Sequence, residues 1–349
     1  MFFGSKKVIG LDIGSSSIKM AELNVKRGGA ELVSFGFVPT PQGALGGGDI
    51  NNVQAVSEAI SALSQQIKSR RKNVATGMWG TAVIVKKITI PRIEKKLVAQ
   101  QIRWEAEQYI PFDVNEISLA YHIVNGQSAA DTMDILLIAA QNALVGQYSQ
   151  AVSGAGYKLG VLDVSGFALA NIFELNYGRL RGQTIGLLNL GASVTNFVVL
   201  HDGEVIFCRD IPIGGYNYTN EIHKEMGVTI PEAEALKLSA VSGNEVPDQV
   251  HSILSSVNDV MVDEIRNSFD FFNASTAGYA INQVYFTGGS SGMPNLINQV
   301  SQATQLPFEA MNPFLKIKPG KGFTPDYLQQ IAPFTSVVLG LALRNTGDS

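Results

Sequence analysis

The residues of this chain whose types and spacing could do chemistry lie in two short turns of small residues. Leu11-Asp12-Ile13-Gly14-Ser15-Ser16 returns, slightly altered, as Leu188-Asn189-Leu190-Gly191-Ala192-Ser193, each where an apolar strand meets a glycine turn and a second strand. Aligning the copies also pairs Met20 with Phe197, Ala21 with Val198 and Leu23 with Leu200, so the likeness runs on through the second strand. A turn built on Gly, Ser and Ala can aim consecutive backbone N–H groups at one spot, and such a nest binds anions, phosphate above all. Either copy alone reads equally well as an ordinary β-hairpin. A third tight turn, Phe286-Thr287-Gly288-Gly289-Ser290-Ser291-Gly292, follows the apolar run Val284-Tyr285-Phe286 and precedes a helix expected to start near Pro294. Two nests facing each other across a cleft, with a Gly-Gly platform beside them, would suit a nucleotide triphosphate lying between two lobes.

Glu234 and Lys237 stand three apart on a helix expected over Pro231 to Ala240. Spacing alone leaves two readings open. One is a surface ion pair worth a few tenths of a kcal/mol; the other is a carboxylate for ribose hydroxyls beside an amine stem over an adenine.

The elements that must position these turns follow from periodicity and punctuation. Strands read at Val8 to Ile13, Ile18 to Leu23 and Glu31 to Val38, then a loop with Pro39, Pro41 and Gly46-Gly47-Gly48, a helix over 50 to 70, and a strand near Val74 to Trp79. The recipe repeats at Thr184 to Leu190, Val194 to Leu200 and Glu204 to Ile211, followed by a helix from about Gly214-Gly215. Between the halves, a strand at Val83 to Ile90, a helix at Glu94 to Ile110, strands near Ile117 to Ile123 and Met133 to Ala140 and a helix from Ala143 to Ser153 suggest an α+β unit inserted at about 83–157. On its helix Trp104 and Tyr109 read as core and rim residues, with a partner groove as the alternative. A long helix near Val250 to Phe272 is expected to bury Ile253, Leu254, Val257, Val260, Met261, Ile265 and Phe269.

Composition bounds the class. At 349 residues the chain exceeds the size at which one core stops growing, so two lobes are expected. Its 26 basic against 30 acidic residues argue against nucleic-acid binding through a broad cationic face. The one basic cluster, Lys68, Arg70, Arg71 and Lys72, follows a helical stripe and reads as favourable charge at a helix C-terminus. Cys208 alone excludes an intramolecular disulfide and reads as a buried strand residue, and His122, His201, His223 and His251 show no zinc spacing. Runs such as Ile135 to Ala140 fall far short of the roughly 20 apolar residues a membrane helix needs, and no long h-region follows the N-terminal charges. A cytoplasmic chain without direct membrane insertion is expected.

The strings Gly10-Leu11-Asp12-Ile13-Gly14-Ser15-Ser16-Ser17-Ile18-Lys19, Trp104-Glu105-Ala106-Glu107-Gln108-Tyr109-Ile110-Pro111-Phe112 and Glu232-Ala233-Glu234-Ala235-Leu236-Lys237 resemble the superfamily of actin, sugar kinases and Hsp70. Within it the chain is similar, over nearly its whole length, to the PilM family of type IV pilus assembly proteins, relatives of the cell-division protein FtsA. The resemblance implies an α/β actin-like ATPase fold of two duplicated, RNase H-like lobes, residues 1–182 and 183–330, with an FtsA-like inserted subdomain at 83–157 and a helical subdomain at 228–275. A C-terminal helix at 331–345 would pack back on the first lobe. It implies ATP or ADP with magnesium, Asp12 lying near the metal through water. Gly14, Ser15, Ser16 and Lys19 would hold phosphates from one side. Asn189, Gly191, Ala192 and Ser193, with Gly214 and Gly215, would do so from the other. Glu234 and Lys237 would meet ribose and adenine, and Gly288, Gly289, Ser290 and Met293 would frame the nucleoside. It further implies a partner, the N-terminal cytoplasmic peptide of PilN held between the inserted subdomain and the first lobe. Through it the chain would join the inner-membrane PilN/PilO complex and the pilus motor or platform proteins that serve pilus biogenesis and twitching motility.

One departure bears on mechanism. Asn189 stands where most of the superfamily has an aspartate, and it cannot add the negative charge that helps hold magnesium or orient water. The expected helix from Ser165 to Tyr177 carries no Glu or Gln at its start, where relatives place a water-positioning residue; Asp163 is the nearest acid. The expectation is tight ATP binding with slow or absent hydrolysis. An active or filament-forming ATPase of the FtsA kind and a small-molecule kinase are the competing readings. The kinase needs a base near the γ-phosphate, and no second acid stands beside Asp12.

Overall fold

The computed structural model describes residues 7–124, 131–276 and 278–348. β1 (Ile9–Ile13), β2 (Ser17–Lys26) and β3 (Gly29–Pro39) form an antiparallel meander. The loop after it carries the two-residue strands β4 (Leu45–Gly46) and β5 (Asp49–Ile50), and α1 (Val53–Ile67) leads to β6 (Asn73–Met78). Next come β7 (Val83–Pro91), α2 (Lys95–Tyr109), β8 (Ile117–Val124), β9 (Thr132–Gln141), α3 (Asn142–Gly154), β10 (Lys158–Val164) and α4 (Ser165–Tyr177). A second meander follows in β11 (Thr184–Leu190), β12 (Thr195–His201) and β13 (Glu204–Ile211), then α5 (Gly215–Met226), α6 (Ile230–Val241) and α7 (Asp248–Ser275). The chain closes with β14 (Gln283–Thr287), α8 (Leu296–Thr304), β15 (Phe308–Ala310), β16 (Ile317–Pro319) and α9 (Pro325–Ala342).

The first sheet runs β10-β6-β1-β2-β3-β16 and the second β13-β12-β11-β14-β15. Their hairpins share one register: Leu11 faces Met20 and Asp12 faces Lys19, as Leu188 faces Phe197 and Asn189 faces Asn196. Every residue of β1 is buried, because α1 and α3 cover one face of the sheet and α9 the other. α4 and α9 pass between the sheets and cross at Gly340, where a Cβ would lie 1.8 Å from the Ala168 carbonyl oxygen. That crossing leaves room for hydrogen only.

A separate three-stranded sheet, β7-β9-β8, is covered by α2 through Val98, Ile102 and Ala106, which pack with Ile88, Ile135 and Leu137. α3, which the sequence groups with this insertion, touches β8 and β9 of its sheet but packs chiefly on α1 and sends Leu144, Tyr148, Ala151 and Val152 into the core under β1.

Four local expectations are corrected. α1 stops at Ile67, where Lys68 takes a left-handed φ of 50°, and the basic cluster turns away from the helix end. Arg71 donates to the Val8 and Leu23 carbonyls at 2.8 and 3.0 Å and pairs with Glu22 at 3.1 Å, tying the chain to β1 and β2. Trp104 is 65% exposed on α2, so it is no core residue. Val260 is 54% exposed, because Asn258 takes the inward place on α7, accepting from Tyr218 Oη at 2.7 Å and donating to the Pro294 carbonyl at 2.8 Å. α8 starts at Leu296 behind a left-handed Asn295, two residues beyond the proline expected to open it.

Candidate functional site

The two glycine turns meet edge to edge between the sheets. Ser193 Oγ donates to Ser15 Oγ at 2.7 Å, and Tyr216 Oη donates to the Ser15 carbonyl at 2.9 Å. The glycine amides themselves close the turns, Gly14 N to Ser17 O at 3.2 Å and Gly191 N to Val194 O at 3.0 Å. Among the turn amides left without a partner in the described residues are those of Ser15, Ser16, Ala192 and Ser193. The first turn is pinned from outside: Trp79 Nε1 donates to the Ile13 carbonyl at 3.0 Å and Thr40 Oγ1 to the Gly14 carbonyl at 2.6 Å. Beside it Lys19 Nζ pairs with Asp12 Oδ2 at 3.0 Å and donates to Ser17 O at 3.3 Å, so one of its three donors is unspent. Asp12 Oδ1 accepts no hydrogen bond among the described residues.

A cleft of about 670 Å³ opens from these turns, a volume in the range of small-molecule sites. On its wall Lys237 is buried and donates to Glu234 Oε2, Thr219 Oγ1 and the Gly215 carbonyl at 2.7, 2.9 and 3.3 Å. All three of its donors are used; the i,i+3 ion pair of the first reading is present, with its lysine buried and not on the surface. Glu234 Oε2 also accepts from Thr219 Oγ1 at 2.6 Å, Oε1 has no hydrogen-bond partner among the described residues, and Glu234 lines the cleft. Gly289 forms part of the wall, where a Cβ would meet nothing nearer than Phe334 at 4.0 Å, so a flat group can approach its backbone.

A row of polar side chains crosses the second sheet from the cleft. Asn189 Nδ2 donates to Asn196 Oδ1 at 2.7 Å, Asn196 Nδ2 donates to Asp210 Oδ1 at 2.6 Å, and the Gly80 amide donates to Asp210 Oδ2 at 2.7 Å. The three side chains are cross-strand neighbours on β11, β12 and β13. Burial pushes the Asp210 carboxyl above the ordinary range, and the Gly80 and Asn196 donors draw it back.

With that geometry in view, the model of the family described as "Type IV pilus assembly protein PilM" matches residues 10–346. The chain belongs to the PilM family. It is 27% identical to a solved chain of a PilM-PilN type IV pilus biogenesis complex, with a TM-score of 0.88 over 97% of this chain and 98% of that one. The ethanolamine utilization protein EutJ from Carboxydothermus hydrogenoformans, 14% identical, gives a TM-score of 0.55 over 98% and 90% of the two chains and shares the fold. The fold of this PilM-family chain is the actin-like ATPase fold.

Fourteen sequence-nominated residues line the cleft: Asp12, Gly14, Ser15, Ser16, Lys19, Asn189, Gly191, Ala192, Glu234, Lys237, Gly288, Gly289, Ser290 and Met293. Ser193, Gly214 and Gly215 do not. Ser193 sits where the turns touch. The two glycines dock α5 under the second turn, where a Cβ on Gly214 would lie 2.6 Å from Gly191 O and 2.7 Å from Ala192 O. Asp163, the acid nearest the start of α4, points away from the cleft to Arg344 at 3.4 Å; Ser165 lines the wall instead. Sequence reading missed Trp79, Asn196, Phe37 and Phe334. Asn196 could have been found, since aligning the two copies sets it opposite Lys19; the others arrive from distant segments with no local signal. No helix among the described residues is long and apolar enough to cross a membrane.

Proposed function

We propose that this PilM-family chain is a nucleotide-binding scaffold that holds ATP or ADP with magnesium in the cleft and takes up the N-terminal cytoplasmic peptide of PilN, hydrolysing slowly or not at all. The observation that carries the reading is the pair of glycine turns closing on one another with four unspent amides at the head of the cleft. The free Lys19 donor adds charge for a β- or γ-phosphate, and Glu234 Oε1 would offer an acceptor to ribose hydroxyls.

Magnesium fits the donor set without a protein cage. Among the described residues no group of three or more His, Cys, Asp or Glu gathers to hold a metal. Among the described residues Asp12 Oδ1 and Asn189 Oδ1 both lack partners, which suits an ion that keeps its waters and is bound through one carboxylate and the phosphates. When bound, it would neutralise polyphosphate charge.

What the acids are doing supports slow hydrolysis. Asp12 and Glu234 are the two acids lining the cleft, and each is paired to a lysine. A paired carboxylate is a poor general base. The nucleotide would therefore act as a clamp, adding its contacts to the Ser15–Ser193 and Tyr216–Ser15 bonds that already join the turns.

Support for the peptide partner comes from the solved PilM-PilN relative at a TM-score of 0.88. A pull-down of the full chain with the PilN N-terminal peptide tests it: capture with ATP and magnesium is expected, and no capture in either nucleotide state overturns the partner reading. Single-turnover hydrolysis at roughly 1 per second or faster would contradict the clamp.

A further inference from the structure

The polar row across the second sheet has a direction. Asp210 accepts at both oxygens, from the Gly80 amide at Oδ2 and from Asn196 at Oδ1, so Asn196 presents its amide nitrogen to it. Asn196 must then turn its oxygen to Asn189, which in turn spends its amide nitrogen on that oxygen. The group left over at the head of the row is Asn189 Oδ1, an acceptor facing the cleft. Gly80 fixes the other end, because its backbone N–H to Asp210 Oδ2 cannot turn into an acceptor.

We propose that Asp210 is a positioning residue for the metal side of the nucleotide. Through two hydrogen bonds it holds Asn189 with its carbonyl oxygen toward the cleft, giving the second turn an acceptor for a magnesium-bound water in place of an aspartate. The inference rests on the nucleotide reading of the cleft. It goes beyond it in assigning a role to a residue two strands removed from the ligand.

The row makes a signed prediction for Asp210→Asn. The fixed Gly80 donor takes the new side chain's oxygen, so its amide nitrogen faces Asn196 and both asparagines reverse. A donor then faces the cleft where an acceptor stood. Isothermal titration of the full chain with ADP, with and without magnesium, reads this directly. In the parent, magnesium should tighten binding. In Asp210→Asn that tightening should shrink about tenfold, as for one hydrogen bond to a charged partner, while ADP in EDTA binds as well or better. The double variant Asn189→Asp/Asp210→Asn moves the carboxylate from the far end of the row to the cleft with every bond satisfied, and it should recover the magnesium effect. This rescue separates orientation from damage to the fold.

Three results would overturn the proposal. An undiminished magnesium effect in Asp210→Asn refutes the orienting role while leaving the nucleotide cleft standing. Equal weakening with and without magnesium, unrescued by the double variant, assigns Asp210 to stability alone. Failure of the parent to bind ADP under both conditions removes the reading on which the inference depends.

Discussion

The two copies of the hairpin have the same register and opposite electrostatics. In the first, Asp12 faces Lys19 across β1 and β2, an ion pair at 3.0 Å with both side chains about nine-tenths buried. In the second, the equivalent places hold Asn189 and Asn196, neutral amides at 2.7 Å, and the charge sits one strand further out at Asp210. The difference teaches how one backbone frame can be set for two tasks. On the proposed nucleotide reading, the first copy would offer a cation to phosphate and a carboxylate to a hydrated metal, and the second oriented dipoles and no free base.

The largest expected effect comes from breaking the charged copy. Lys19→Met strands the buried Asp12 carboxylate and should cost about 3–5 kcal/mol in urea unfolding, most of it recovered in Asp12→Asn/Lys19→Met. The matching change in the neutral copy, Asn196→Leu, should cost about 1–3 kcal/mol, since it leaves Asn189 Nδ2 unpaired and takes one donor from Asp210, which keeps the Gly80 amide. Equal costs would erase the distinction.

The turns themselves differ less. A Cβ on Gly191 would lie 2.6 Å from Val194 O, against 3.0 Å from Ser17 O for Gly14. Gly191→Ala should therefore lose about 1–3 kcal/mol by overpacking and Gly14→Ala about 1 kcal/mol or less, in the same unfolding assay.

The smallest effect tests whether the acid missing from the second turn is supplied nearby. Burial pushes the Asp163 carboxyl up and Arg344 draws it partly back, and the residue faces the core. A raised folded-state pKa makes its contribution fully present below about 3.8, the ordinary value, and lost as pH rises through the raised one. Urea melts at pH 3, 5 and 7 should thus show Asp163→Asn gaining relative to the parent as pH rises. Nucleotide turnover should not change; a loss of turnover would return Asp163 to the catalytic side.

Much of this fold was legible in the chain because its signals are local. Glycine turns after apolar runs fixed both meanders, and aligning the two hairpins anticipated the shared register down to Met20 against Phe197. What stayed hidden depends on contacts across long separations. The Asn189–Asn196–Asp210 row needs three strands in register before any pattern exists. α3 reads like part of the insertion until α1 is there to bury Leu144 and Tyr148. Arg71 looks like helix-end charge until Glu22 and the Val8 and Leu23 carbonyls converge on it. Trp104 fits a core by residue type, yet its place on α2 faces solvent.

The central claim is that the two turns close on one polyphosphate, and calorimetric titration of the full chain with ATP and magnesium beside a Gly191→Val variant tests it most directly. One nucleotide per chain is expected in the parent, with binding abolished in the variant even where its melting curve shows a folded protein. No heat of binding in the parent, or undiminished binding in the variant, would contradict it.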